Sequence, residues 1–311
     1  MKSIAIFTFL VLSVSTACSP PQPAVSTLSP VITSSPTASP TATSTETPFY
    51  TATPLLPSST PTEIPTATPD TRLVPRYWRE WPTSPDLSPK AKSILEQAKS
   101  NPDLDLHAFS KVGDCQMIPP TFLGGYVTGQ YNTPPEFEET VAWFSNSMTE
   151  ESITSANGLG INSVLNPMFG FAAGYTQCEK NEPPIQCELR ITQPVVVLIG
   201  MGTNWKPHAD LSFEEHLRNV VDQILATGAL PVLATKADNI EEDWRLNLVI
   251  ANVAYDYDLP LVNVWRSVQD LPNHGLKAPA NIYLIGDGWT RRNIAWLNTL
   301  EKIRLVLEDQ P

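Results

Sequence analysis

The sequence predicts an α/β protein with a mainly parallel sheet that is covered by helices on both sides. Continuous apolar runs, at 194–200 and 230–234, lack the alternation of half-exposed strands and are typical of strands buried on both faces. Patterns of amphipathic helices separate these runs. The regular alternation of strand and helix in the second half of the chain favours parallel pairing through helical crossovers.

The first eighteen residues predict an export signal. Lys2 precedes an apolar stretch, 4–14, that is too short to cross a bilayer. Small residues then lead into Cys18, and residues 15–18 resemble the end of a bacterial lipoprotein signal, although Ser15 stands where leucine is more usual. This resemblance implies that Cys18 is lipidated and anchors the protein to the outer face of a bacterial membrane. Ordinary secretion with cleavage nearby is the alternative, and either route makes disulfides permissible.

Residues 19–75 predict a disordered linker. They are nearly all proline, threonine, serine and alanine, so they cannot bury enough apolar surface to offset the entropy of ordering. A proline-rich segment of this kind acts as a semi-rigid spacer between an anchor and a folded domain. The folded domain is expected over 76–311, beginning at a cluster of aromatic residues, and is long enough to form a single α/β domain.

Within this domain the patterns predict each element in turn. In the first half they predict a helix over 88–100, a strand over 106–112 and a helix over 136–148. In the second half they predict strands over 194–200, 230–234, 259–264 and 281–285, and helices over 211–227, 241–257 and 292–308. Ser212 and Glu215 have the spacing of a capping box for the helix over 211–227.

The stretch 109–116 is the centre of the functional prediction. It begins apolar, as a buried strand ends, and then breaks into Gly113, Asp114 and Cys115. A glycine there allows a sharp turn, and the residue two places later lies where open α/β sheets place their ligands. Helix-end amides would lower the pKa of a thiol at such a corner and make it a nucleophile. The alternative is a small buried cysteine that ends a strand.

The remaining cysteines are expected to form a local disulfide. With Cys18 lipidated, the simplest pairing joins Cys178 to Cys187 across a short polar loop and leaves Cys115 as a thiol. Pairing of Cys115 with either of them is the alternative, and it would exclude Cys115 as a nucleophile.

Four polar corners follow one another along the chain, at 113–115, 157–160, 202–204 and 286–290. With these corners, the domain from about residue 105 to 308 resembles the SGNH, or GDSL, hydrolases. The resemblance implies a three-layer α/β/α sandwich with a mainly parallel, flavodoxin-like sheet, and esterase or acyl hydrolase activity, in many members on acylated carbohydrates. Cys115 matches the nucleophilic serine, Gly160 an amide that binds the oxyanion, Asn204 an oxyanion donor and Asp287 the acid of the triad.

Two positions depart from the family pattern. Thr290 stands in place of the triad histidine, and Trp205 in place of an aspartate that usually follows the asparagine. A hydroxyl does not act as a general base near neutral pH, so Asp287 has no imidazole to orient. The oxyanion donors alone retain some catalysis in such sites.

Another histidine is therefore a candidate base. His274, in a polar loop just before the last predicted strand, is the preferred replacement, and a loop histidine bonded to solvent or backbone is the alternative. His208 follows Asn204 closely and could overhang the site. His107 is expected at the wrong end of its strand and His216 on a solvated helix face.

Trp205 and Trp289 both fall at the predicted edge of the site, where indoles suit stacking on sugar rings. The net charge of −12 disfavours nucleic acid as a partner, and no spacing predicts a metal or a cofactor. We therefore expect a surface-tethered, monomeric domain that binds a glycan or acylated ligand with weak or no ester hydrolysis. The alternatives are an active ester or thioester hydrolase with Cys115 as nucleophile and His274 as base, and a structural envelope protein without a site.

Overall fold

The computed structural model of the protein describes residues 70–172, 174–206 and 212–309. The signal segment with Cys18, the linker up to residue 69, and His208 lie outside these residues. The sheet contains β1 (Asp105–Gly113), β2 (Pro194–Gly200), β3 (Leu230–Ala234) and β4 (Leu261–Val262), and its neighbouring strands are parallel in the order β1-β2-β3-β4.

A fifth segment lies beside β1, on the side away from β2. Gly113 forms a parallel bridge with Ser155, and its N–H donates to the Thr154 carbonyl at 2.9 Å. On the same edge of β1, closer to the start of the strand, the Phe109 N–H donates to Ser147 Oγ at 2.9 Å and the Lys111 N–H donates to Ser152 Oγ at 3.2 Å. The chain thus runs first to one side of β1 and then to the other, which is the flavodoxin-like order and creates a switch point at the carboxyl end of β1.

Helices cover both faces of the sheet. In chain order they are α1 (Pro89–Ala98), α2 (Gly124–Val127), α3 (Glu138–Trp143), α4 (Ser145–Thr149), α5 (Ile161–Val164), α6 (Pro167–Ala172), α7 (Pro184–Thr192), α8 (Phe213–Thr227), α9 (Arg245–Tyr257), α10 (Val264–Ser267) and α11 (Asp287–Glu308). Helix α11 packs against α1, α3 and α10 on one face, and α8 packs against α7 and α9 on the other. The predicted three-layer α/β/α sandwich with a parallel, flavodoxin-like sheet is confirmed.

The apolar patterns account for the central elements. Val195, Val196, Val197 and Leu198 of β2 are fully buried, as a continuous apolar run predicts. Helix α8 buries Leu217, Val220, Val221 and Ile224 on one stripe. Among the described residues no helix combines the length and the apolar character that crossing a bilayer requires.

Several predicted elements differ from the structure. Residues 281–285 are not a strand, because they fold back onto the preceding loop: Leu284 bridges to Leu276 in antiparallel fashion, and Ile285 remains 44% exposed. The predicted helix over 136–148 is divided at Phe144, a buried ring that packs edge-on against Phe109. The Ser212 side chain makes no capping hydrogen bond to α8. Helix α11 begins at Asp287 rather than at residue 292, so Asp287 and Thr290 lie in its first turn.

The predicted disulfide between Cys178 and Cys187 is confirmed, with 5.3 Å between the Cα atoms. Cys187 lies inside α7 and is fully buried, so the polar loop that was expected between the two cysteines ends before Cys187, where α7 begins at Pro184. Cys115 takes no part in a disulfide, so the prediction that this thiol is spared holds.

Removing the disulfide should destabilise the domain. The two cysteines are 9 residues apart, and closing so short a loop in the unfolded chain corresponds to about 2–3 kcal/mol in the chain-entropy treatment. We expect a Cys178→Ser/Cys187→Ser variant to lose this amount in urea denaturation. Reductant should lower the stability of the wild type, and of a Cys115→Ser control, to the level of the double variant. A wild type that is indifferent to reductant would contradict the expectation.

Candidate functional site

The corner after β1 is built as a tight turn. A Cβ atom on Gly113 would collide with the Met117 side chain, so glycine is required where the chain folds back. The Asp114 carbonyl accepts the Met117 N–H at 2.9 Å, and its side-chain Oδ1 accepts the Gln116 N–H at 3.0 Å. Cys115 lies at the tip of this turn but is only 8% exposed, and its carbonyl accepts a hydrogen bond from the Thr121 hydroxyl.

Asp114 joins the first corner to the corner after β2. Its Oδ2 accepts the Thr203 N–H at 3.2 Å, and the Thr203 hydroxyl in turn donates to Asp238 Oδ2 at 3.0 Å. Asp238 is held by Lys236, whose Nζ lies 2.7 Å from Asp238 Oδ1 and 2.5 Å from Glu241 Oε2. The carboxyl ends of three neighbouring strands are therefore connected by one buried polar network.

Burial makes Asp114 difficult to ionise. The carboxyl is 1% exposed, and desolvation raises its pKa to about 6, with a further contribution from the nearby Asp238 charge. The N–H groups of Gln116 and Thr203 act in the opposite direction by stabilising the charged form. The pKa therefore lies well above that of an aspartate in water.

Arg292 of α11 was not identified from the sequence. It is 3% exposed, and its guanidinium donates to the Gln116 carbonyl at 2.7 Å and also to the Thr121 carbonyl. Burial lowers the pKa of Arg292 to about 10, while Asp114 and Cys115 favour its charged form. In the sequence, Arg292 precedes Trp296 by four residues, and residues at this spacing share one face of a helix. This spacing was the one indication that Arg292 lies on the buried face of α11.

Three of the predicted site residues share one cleft. Gly160, Asn204 and Trp205 line a cleft of about 350 Å³, beside Lys206 and His216. The Asn204 side-chain amide donates to the Leu159 carbonyl at 3.3 Å, and Gly160 is the residue before α5. His216 was expected on a solvated face; the structure instead places it at the cleft, because α8 begins beside the loop that carries Asn204.

The other predicted site residues do not line this cleft. Cys115 is absent from its described lining, as are Asp287, Trp289 and His274. Asp287 and Thr290 are exposed on the first turn of α11, and Trp289 is half-buried against the core.

His274 lies on a short 3₁₀ segment, Pro272–Gly275, that packs against this turn. A Cβ on Gly288 would lie 2.6 Å from the Gly275 carbonyl oxygen, so the two backbones are in direct contact. The His274 ring is exposed, with Nδ1 at 3.1 Å from the Gln269 carbonyl oxygen.

The histidines within the described ranges are His107, His216 and His274. Of the histidines there, His107 stacks on Trp143 near the start of β1, with 4.0 Å between the ring centroids. His216 lines the cleft and His274 faces Gln269. The surroundings of these three histidines are therefore the start of β1, the cleft and the loop before α11.

Solved structures with similar folds are esterases and lipases. One is a GDSL-like lipase from Bacteroides thetaiotaomicron, 14% identical, which covers 68% of this chain and 98% of its own, with a TM-score of 0.41. Another is a catalytic mutant of an acetylxylan esterase from Geobacillus stearothermophilus, 14% identical, which covers 62% and 93%, with a TM-score of 0.41. The first of these carries the GDSL designation of the hydrolases that the sequence motifs resemble. No protein-family model matches the chain, and none of the curated proteins matches it.

The raised pKa of Asp114 predicts a pH dependence of stability. Because the folded carboxyl titrates near 6 and an unfolded one near 3.8, its stabilising contribution is full below about pH 4 and is lost as pH rises through about 6. Relative to Asp114→Asn, the free energy of unfolding of the wild type should fall by up to about 3 kcal/mol over this window. Urea denaturation of both proteins at pH 4 and pH 7 measures the change. A difference that is constant with pH would refute the prediction.

Proposed function

We propose that the domain binds a carbohydrate or acyl-ester ligand in the cleft of Gly160, Asn204 and Trp205, and hydrolyses esters slowly or not at all. One observation carries the proposal. The two oxyanion-type donors and an aromatic ring lie together in the cleft, whereas Cys115, Asp287 and Thr290 do not line it. Its volume of about 350 Å³ is within the range of small-molecule sites.

The residues of the cleft suit a sugar derivative. The indole of Trp205 offers a flat apolar face of the kind on which a pyranose ring packs. The amide of Asn204 and the backbone N–H of Gly160 supply donors for a carbonyl or hydroxyl oxygen of the ligand. A site of this composition binds an acyl group in a fixed position and does not have to transfer that group.

Slow chemistry is expected from Thr290, which stands where the resembled hydrolases have their histidine base. Losing a positioned general base costs about 100- to 10,000-fold in rate. The Cys115 thiol favours the charged form of the Arg292 guanidinium, and this electrostatic interaction supports a second candidate function, Cys115-dependent hydrolysis of activated esters or thioesters. The chain would perform this function outside the cytoplasm, as a lipid-anchored surface protein, in keeping with the signal-like segment that ends at Cys18.

Binding and hydrolysis can be tested with an acetylated xylo-oligosaccharide and with 4-nitrophenyl acetate. We expect saturable binding of the sugar that Trp205→Ala weakens and Trp289→Ala leaves unchanged, since Trp289 does not line the cleft. Turnover of the activated ester should be slow, should vanish in Cys115→Ala, and should rise in Thr290→His if Asp287 orients the new ring.

Two results would count against this function. Rapid turnover of a natural ester that disappears in His274→Ala would establish a full hydrolase with a relocated base. Equal binding by the wild type and Trp205→Ala, together with an ester rate unchanged by Cys115→Ala, would leave a structural role alone.

The anchoring proposal has its own test. A Cys18→Ala variant should either be released from the membrane fraction or remain unprocessed, because the acceptor of the lipid is removed. Fractionation followed by mass spectrometry of the N-terminal peptide measures both outcomes. Full membrane retention of Cys18→Ala would disprove lipid anchoring at this residue.

A further inference from the structure

The cleft of Gly160, Asn204 and Trp205 is basic although the chain as a whole is acidic. The chain carries a formal net charge of −12. Yet Lys206 and His216 are the titratable side chains among the described residues that line the cleft, and no aspartate or glutamate is present in that lining. The charge carried by the described lining residues is therefore opposite in sign to the overall charge.

These two basic groups are not neutralised by neighbours in the described part of the chain. Lys206 follows Trp205 directly, is exposed, and forms no salt bridge there. The acidic residues nearest to His216 on α8 are Glu214 and Glu215. Glu214 is paired with Arg218, at 2.7 Å between its Oε1 and the arginine Nη2, and Glu215 points to solvent without lining the cleft.

Other groups at the cleft are hydrogen-bond donors. Helix α8, which runs from Phe213 to Thr227, begins at the cleft wall, so the partial positive charge of its first amides is directed toward the same space. The indole Nε1 of Trp205 is buried and has no hydrogen-bond partner among the described residues. Basic side chains, helix-end amides and an aromatic ring are therefore combined in one open site.

We propose that the ligand of this cleft is an anionic carbohydrate, with a sugar ring on Trp205 and its negative group between Lys206 and His216. The inference rests on the proposed function, and it adds the sign of charge that the ligand must carry. A uronic acid carboxylate and a sulfate ester share this chemistry. Lys206 acts as a point charge and discriminates little between them, so the experiment must distinguish the two sources.

The test is calorimetric titration of the full chain with oligosaccharides of matched length. The probes are a neutral xylo-oligosaccharide, its acetylated form, an oligogalacturonate and a sulfated oligosaccharide. The anionic probes should bind more tightly than the neutral ones, and their affinity should fall as ionic strength rises from about 50 to about 500 mM, whereas neutral binding should not.

Variants of the two basic residues locate the contact. Lys206→Gln and His216→Gln should each weaken anionic binding about 2- to 5-fold while sparing neutral binding. Lys92→Gln removes the same charge as Lys206→Gln from α1, and should change nothing. Circular dichroism checks that each variant is folded. The salt dependence of binding is measured on the wild type, so that part of the test does not depend on any variant being folded.

Each outcome has a definite meaning. Preference for the galacturonate or for the sulfated sugar, lost in Lys206→Gln, supports the inference and identifies the anionic group. Equal or tighter binding of neutral sugars, reduced by Trp205→Ala, overturns the inference and leaves the proposed function intact. Failure of every probe to bind overturns both.

Discussion

The hydrogen bonds of the Asp114 carboxylate hold together the loops on which the site depends. One oxygen accepts the N–H of Gln116, within the corner after β1, and the other accepts the N–H of Thr203, in the loop that carries Asn204. The Thr203 amide is buried and the Gln116 amide is partly buried, and an unpaired buried polar group costs about 1–3 kcal/mol. Removing this carboxylate would therefore release two loops at once, together with the orientation of Asn204 and Trp205 toward the cleft.

Arg292 adds a second constraint, and this constraint explains why Asp287 and Thr290 are exposed. The guanidinium is buried against the carbonyls of Gln116 and Thr121, so this side of α11 faces inward. Successive helix residues are separated by about 100°. Asp287 and Thr290, which lie off the buried stripe, consequently face solvent. The contact that fastens α11 to the corner after β1 also keeps Asp287 and Thr290 out of the described lining of the cleft.

The sequence predicted the elements whose pattern reflects burial alone. β2 and α8 were predicted correctly because a covered strand and an amphipathic helix have distinct periods, and the disulfide because few pairings were available. Residues 281–285 were misread as a strand, since a short apolar run does not reveal whether it pairs with a sheet or with its own loop.

The candidate site was less predictable, for a physical reason. Helical periodicity separates the core face of a helix from its polar face. It does not show where the polar face borders a cleft formed with another loop, which is the case at His216. Arg292 was missed because an arginine is normally exposed, and only tertiary contacts with two carbonyls satisfy it in the interior. The matches at Gly160 and Asn204 were found by motif, although their shared cleft with Trp205 was visible only in three dimensions.

The outer edge of β1 has a consequence for association. The N–H groups of Phe109 and Lys111 are taken by serine hydroxyls, and the Lys111 carbonyl accepts the Thr154 hydroxyl at 2.7 Å. These bonds leave that stretch of edge without the donors and acceptor that an incoming strand would need. Side chains from α4 and from the loop after it thus do what a full neighbouring strand would do, and this border of the sheet is protected against edge-to-edge aggregation between copies of the chain.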